Sequence, residues 1–205
     1  HAVDAAERVR LRNMVREFRT YLERELYGDT LEAVQALGSL RDLQQWQVKS
    51  DAGDLRLYLR IATDVQLQTL GAGPKRYLSY GAYPDGAQQN ADIQLSMLYR
   101  PGFYDANDSA NAKVFPLDTQ AITEDSSHAW YQDTQHARHP REGLTAVDAN
   151  QPAAYTWNKA PRYGGQVVET GALARQLING NPLIADAHAT FGGCVHTRIL
   201  ARMHE

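Results

Sequence analysis

The sequence predicts a mainly α, α+β fold: a helical bundle with a small antiparallel strand element and a long aromatic-rich loop region. Three observations carry this. Apolar residues recur at three- and four-residue spacing towards both ends of the chain, and two short aromatic-bearing stretches near the middle are divided by turn residues. Residues 101–165 are rich in Asp, Asn, Pro, Gly and His and show neither a helical nor a strand period. Read as one partial domain over 1–205, the chain is helical over 1–73, forms short strands over 74–100, runs as extended loop over 101–165 and is helical again over 166–205.

From Asp4 to Tyr27, Leu11, Met14, Val15, Phe18, Tyr21, Leu22 and Leu26 form one face of a long helix. The opposite face carries Glu7, Arg8, Arg12, Arg16, Arg19, Glu23 and Arg24, and the six arginines from Arg8 to Arg24 read as a solvated face with acidic neighbours one turn away. Gly28 stops this helix, and Asp29-Thr30 can cap a short second one that runs through Leu37 to Gly38. Leu55, Tyr58, Leu59, Ala62, Val65 and Leu70 give a further helix, 55–70, ended by Gly71-Ala72-Gly73-Pro74. Arg76-Tyr77-Leu78-Ser79-Tyr80 and Gln94-Leu95-Ser96-Met97-Leu98-Tyr99, separated by Tyr83-Pro84-Asp85-Gly86, read as two short strands, an antiparallel pair.

The segment 101–165 is too aromatic for a disordered linker, and bulky anchors on extended loops belong against a scaffold or a partner. Beyond Gly164-Gly165, Thr170 is the expected N-cap for a helix over Gly171–Asn179, with Gly180-Asn181-Pro182 as its stop. A last helix, from Ile184 or Ala187, places Phe191, Val195, Ile199 and Met203 at four-residue steps. Gly192-Gly193 inside it implies close approach of another backbone.

Composition narrows the function. Hydrophobic residues are 43% and charged residues 22% of the chain, which fits a globular body rather than a fibrous or disordered one. A formal net charge of −3 leaves no basic footprint for a nucleic-acid binder. No run reaches the roughly 18 apolar residues of a membrane-spanning helix, and no segment has the form of a signal peptide. The chain begins at His1 and stops on Arg202-Met203-His204-Glu205 within a helical pattern, so it reads as an internal segment.

One cysteine, Cys194, leaves no intrachain disulfide and no multi-cysteine metal site. On a helix it reads as a buried small hydrophobe, and His196, two residues on, points elsewhere. His128, His136 and His139, with Glu124, Asp125 or Asp133 to orient them, could ligate zinc or another transition metal. Their spacing matches no compact zinc pattern, so structural or exposed histidines are the competing reading. Gly71-Ala72-Gly73 and Gly164-Gly165 lack the strand-then-helix context of a phosphate loop. The residues alone define no catalytic, cofactor-binding or metal-ligating set.

A resemblance supplies what they lack. Tyr155-Thr156-Trp157-Asn158-Lys159-Ala160-Pro161-Arg162-Tyr163-Gly164-Gly165, then Val168-Glu169-Thr170-Gly171-Ala172-Leu173-Ala174-Arg175, resembles the large subunit of nickel-iron hydrogenases, uptake type. Ile122-Thr123-Glu124, His128-Ala129-Trp130-Tyr131, His139-Pro140, Gly143 and Thr145 are similar to the family's preceding stretch. Arg76-Tyr77-Leu78-Ser79-Tyr80-Gly81 and Gly192 to Glu205 also fit.

The resemblance implies heterolytic cleavage of dihydrogen at a nickel-iron centre, with electrons leaving through iron-sulfur clusters in a small partner subunit. It implies a location in the cytoplasm or at its membrane face. The family holds nickel with four thiolates from two Cys-x-x-Cys motifs, and this chain has neither, so no ligand is carried over to any position. The segment would then provide scaffold and inter-subunit surface, with Trp130, Tyr131, Trp157 and Tyr163 packed against the core or the partner. Two other readings stay open: a catalytically inactive hydrogenase-derived interaction domain, and a free-standing metalloprotein using His128, His136 and His139.

Overall fold

The computed structural model describes residues 3–84, 97–107, 113–132, 137–143 and 145–205. Among these residues the architecture is α+β, with helices and three small antiparallel sheets. The chain divides into two compact units. One comprises His1–Ala72 and Gly180–Glu205, and the other Gly73–Asn179.

The first unit is helical. Asp4 caps α1 (Ala5–Tyr21) by accepting from the Glu7 N–H at 2.8 Å. The helix continues as a π-helical turn, Leu22–Tyr27, and ends at Gly28, whose φ of +60° only glycine adopts without cost. Tyr27 is buried and its hydroxyl donates to the Met203 carbonyl at 2.9 Å. Thr30 caps α2 (Leu31–Gln35), as its position after Gly28 predicts. An element without a sequence assignment follows: α3 (Leu40–Gln47), which Ser39 caps by accepting from the Asp42 N–H while its own hydroxyl donates to the Asp42 carboxylate. α4 (Asp54–Asp64) stops short of Leu70, because Gln66 turns into the left-handed region at φ +56° before a 3-10 turn, Leu67–Thr69.

The expected last helix is two helices. The first of them, Pro182–Phe191, ends at Gly192, where φ is +71°, and the second, Val195–Met203, starts afresh beyond Gly193. The glycine pair therefore makes a break and a change of direction rather than a close helix crossing; a Cβ on Gly192 would meet nothing within 4 Å. Val34, Leu43, Leu55, Leu59, Leu183 and Leu200 form the core of this unit. Phe191, Val195 and Ile199 are half-buried. The apolar face left uncovered is instead that of α1, where no residue is buried and Leu11, Met14, Val15, Phe18 and Tyr21 are 40–68% exposed.

The second unit holds the strands. The expected pairing of 76–80 with 94–99 is corrected. β1 (Arg76–Ser79) instead lies antiparallel to β4 (Gly102–Asp105), which pairs in turn with β5 (Val114–Phe115), giving the order β1-β4-β5. The stretch 97–99 is β3 (Met97–Tyr99) and pairs with β2 (Ala82–Pro84); Gln94 to Ser96 lie outside the described residues. The region 101–165 is likewise not all loop, since it contains β4, β5 and β6 (Ile122–Asp125), the last antiparallel to β7 (Ala160–Tyr163). These strands are two to four residues long, too short to show a period in sequence.

The helix α5 (Ala172–Asn179) belongs to this unit, burying Leu173, Ala174, Leu177 and Ile178. Gly171, not Thr170, stands at its start: the Arg175 N–H donates to the Gly171 carbonyl at 3.0 Å, and the φ of +120° at Gly171 excludes most other residues. At its far end the Asn179 amide accepts from the Arg100 N–H at 3.0 Å and donates to the Leu98 carbonyl at 3.0 Å. The Arg100 side chain closes this end on the Ile178 carbonyl at 2.7 Å. The helices Pro182–Phe191 and Val195–Met203 are α6 and α7.

Candidate functional site

The motif-bearing residues converge on the β6–β7 pair. Ile122 faces Tyr163 and Glu124 faces Pro161 across the ladder. The chain after β6 runs beside the chain before β7: the Trp130 N–H donates to the Thr156 carbonyl at 3.1 Å and the Tyr155 N–H to the His128 carbonyl at 3.0 Å. This register brings the rings together. Trp130 and Trp157 have centroids 4.9 Å apart, Tyr131 meets Trp157 edge-on at 6.2 Å, and His128 lies 5.3 Å from Tyr155. The Tyr131 hydroxyl donates to the Trp157 carbonyl at 2.9 Å. Tyr163 packs on Phe103 at 4.8 Å and its hydroxyl accepts from the Asp118 N–H.

Lys159, inside the motif, reaches back under this cluster. Its ammonium donates to Glu124 at 3.3 Å and to Thr145 at 3.1 Å, and stands 5.4 Å from the Tyr131 ring centroid. Its side chain is 13% and that of Glu124 27% exposed, so the pair is partly buried, and a Cβ on Gly143 would press on Glu124. Arg162 pairs with Asp125 at 3.4 Å. Nothing in the spacing of Lys159 and Glu124 shows that they meet. Outward, the cluster leaves Trp157 52% and Tyr155 73% exposed. Trp130, Tyr131 and Tyr163 pack within the unit, while Trp157 and Tyr155 present an aromatic face.

The histidines are tied locally. His128 Nδ1 is 2.8 Å from the Ser127 hydroxyl, which also donates to Asp125 at 2.6 Å, and His139 Nδ1 accepts from the Arg141 N–H. His136 and Asp133 lie outside the described residues. Among the described residues no group of three or more His, Cys, Asp or Glu is placed to hold a metal ion.

Cys194 is buried, but as the N-cap of α7 and not on a helix flank. Its sulfur accepts from the Thr197 N–H at 3.5 Å and lies 3.2 Å from the Thr197 hydroxyl. His196 turns instead to Tyr58: the rings stack at 5.9 Å and the phenol oxygen is 3.2 Å from Nδ1. Burial pushes the Tyr58 phenol up to about 12, with Cys194 adding to the effect. The Cys194 sulfur thus meets Thr197, while the His196 ring meets Tyr58.

Burial lowers the pKa of both His196 and His204 in and after α7. A folded-state pKa below the unfolded value of about 6.5 favours the neutral ring in the folded unit. The stability this represents is fully present above that value and is lost as pH falls through it towards the folded-state value. Each histidine adds a slope of up to about 1.4 kcal/mol per pH unit within that window. Urea midpoints measured from pH 7.5 to 5 should fall, and His196→Gln should flatten the profile. A midpoint independent of pH over that range would contradict this account.

The description nickel-dependent hydrogenase belongs to the family whose sequence model matches residues 10–195. The Hydrogenase-1 large chain of Citrobacter freundii is 38% identical over 128 residues, covering 53% of this chain and 21% of that protein. The uptake hydrogenase large subunit of Cupriavidus necator is 32% identical over 143 residues, covering 60% of this chain and 21% of that protein. Among solved structures, a NiFeSe hydrogenase variant from Desulfovibrio vulgaris Hildenborough superposes with a TM-score of 0.61 at 20% identity. It covers 100% of this chain, which matches 37% of that one. At this identity the superposition establishes the fold. The chain spans about a fifth of the length of the curated relatives it matches.

Proposed function

The chain belongs to the nickel-dependent hydrogenase family, and on that premise we propose that it is an internal portion of an uptake-type large subunit. In the complete large and small subunit complex that enzyme oxidises dihydrogen to protons and electrons, and electrons leave through iron-sulfur clusters of the small subunit. The observation that carries the reading is the family match running over residues 10–195, nearly the whole chain.

The residues present do not fit the nickel-iron centre itself. The family's donor set is four thiolates, whereas this chain has one thiol, buried and engaged as a helix cap. The ligands therefore come from outside these residues, and the proposed role of this segment is scaffold. The Lys159–Glu124 pair and the clustered Trp130, Tyr131 and Trp157 hold the motif rigid, and the Tyr155 and Trp157 face is covered in the complete enzyme by the rest of the subunit or its partner. Among the described residues no helix is long and apolar enough to cross a membrane. The proposed location is the cytoplasm or its membrane face.

The lone cysteine also favours a second reading, a catalytically inactive hydrogenase-derived interaction domain. The reading frame that contains residues 1–205 decides between them. Purified with its small subunit, the encoded large subunit should bind nickel and reduce a viologen dye under dihydrogen, while residues 1–205 alone should do neither. A reading frame without flanking Cys-x-x-Cys motifs, or a complex free of nickel and inactive, leaves the interaction domain as the answer.

A further inference from the structure

Asn179-Gly180 is the one place in the sequence where glycine follows asparagine. Glycine leaves its own backbone nitrogen unshielded, and that nitrogen can attack the asparagine Cγ. The Cγ–Nδ2 bond then breaks, and Nδ2 departs as ammonia with the proton of the Gly180 amide. The succinimide left behind takes up one water and opens to aspartate or isoaspartate. Nothing is oxidised or reduced, and water is the co-reactant.

The fold restrains this reaction at both atoms of the amide. Asn179 is the last residue of α5; its Oδ1 accepts from the Arg100 N–H and its Nδ2 donates to the Leu98 carbonyl, each at 3.0 Å. Arg100 is itself anchored, since Nε donates to the Ile178 carbonyl at 2.7 Å and the Arg100 carbonyl accepts from the Ser79 hydroxyl at 3.0 Å. The amide is thus clamped between the end of a helix and the connection from β3 to β4, and turning Cγ onto the Gly180 nitrogen gives up both of its bonds. Packing adds no barrier on the glycine side, where φ is +79° and a Cβ would meet nothing within 4 Å.

The product does not remake the clamp. An ionised aspartate only accepts, so one oxygen keeps the Arg100 N–H while the other faces the Leu98 carbonyl, acceptor against acceptor. The new charge also lies at the negative end of α5, and pairing it with the Arg100 guanidinium would draw that group off the Ile178 carbonyl. Isoaspartate further lengthens the main chain by a methylene. We propose that Asn179 is a deamidation site latched by the native fold: closed, the amide is protected, and in a chain that has not completed folding it converts irreversibly to a residue that keeps the latch open. The chemistry needs only water and the local fold, whatever reaction the complete protein carries out.

The test ages the full-length polypeptide, purified with its small subunit, at mildly alkaline pH, either native or unfolded in urea. Peptide mapping by mass spectrometry follows the amide-to-acid conversion at each asparagine. In urea Asn179 should convert faster than every other asparagine of residues 1–205, and Gly180→Ala should abolish that lead. In the native complex Asn179 should convert at least about tenfold more slowly than in urea, the factor that one or two net hydrogen bonds supply. Arg100→Ala loosens the clamp at Ile178 without touching the amide and should speed native conversion about fivefold. Asn179→Asp should raise hydrogen exchange across Leu98 to Arg100 about tenfold. Where that variant does not assemble, refolding the urea-aged parent should leave the chains deamidated at Asn179 behind. Equal conversion in the two states, a faster asparagine elsewhere in 1–205, or a native rate indifferent to Arg100→Ala overturns the proposal. So does an Asn179→Asp protein that exchanges like the parent, or deamidated chains that refold in full proportion.

Discussion

Arg56→Leu is expected to destabilise the helical unit by about 3–5 kcal/mol, the range for breaking a buried charged network from one side. Arg56 is 1% exposed and spends its guanidinium entirely on neighbours. Nη1 donates to the carbonyls of Tyr27 at 2.6 Å, Ala52 at 2.8 Å and Gly28 at 3.2 Å, and Nε to that of Trp46 at 3.4 Å. The group also lies 3.6 Å over the Trp46 ring and 3.6 Å from the Asp29 carboxylate. Burial lowers the Arg56 pKa and Asp29 opposes that effect, so the charge is kept at neutral pH.

Leucine fills much of the volume but leaves those carbonyls without a donor, and each unsatisfied buried acceptor costs about 1–3 kcal/mol. Arg56→Lys keeps the charge without the planar fork and should recover less than half of the loss. Urea titration, with hydrogen exchange to assign the loss to Tyr27, Trp46 and their neighbours, measures both. A loss below about 1 kcal/mol for Arg56→Leu would show that water replaces the guanidinium there.

Gly28→Val should cost about 3 kcal/mol, from two sources that a second substitution separates. The left-handed conformation costs a β-branched residue roughly 1–2 kcal/mol. In addition, a Cβ at Gly28 would overlap the Ala52 carbonyl, and a Cβ at Gly53 would sit on the Tyr27–Gly28 peptide. Two backbones touch here with no room for a side chain. Gly28→Asn tolerates the left-handed region but still carries a Cβ, so it should retain at least half of the loss. If Gly28→Asn matches the parent protein, backbone conformation alone sets the requirement. The same contact brings the Tyr27, Gly28 and Ala52 carbonyls within reach of one guanidinium. Gly28→Val and Arg56→Leu should therefore be strongly non-additive in a double-mutant cycle.

The cap Thr30 and the stop at Gly28 were legible because each acts within one turn of its own position. The family was legible for a similar reason, since its motif is contiguous from Tyr155 to Gly165. The strand partners were not. Arg76–Ser79 pairs with Gly102–Asp105 and not with the nearer aromatic stretch, and the competition is decided by which pairing lets α5 cover Tyr77, Leu78 and Gly102. The candidate site was half legible: its aromatic residues could be named, but Lys159 and Glu124 are 35 positions apart and look like ordinary surface charges. Arg56 looks the same in sequence, one arginine in an amphipathic helix.

The sequence by itself determined the stop at Gly28 and the start of α2 at Thr30, which family the chain resembles, and that a single thiol cannot furnish a four-thiolate site. Only the tertiary structure decided which strands pair, that one arginine is buried as a staple, that Cys194 caps a helix, and that the α1 stripe is left open. The physical reason is range. Caps, stops and contiguous motifs depend on atoms a few residues apart, whereas burial and pairing are settled by free energies summed over segments that meet only when the chain folds.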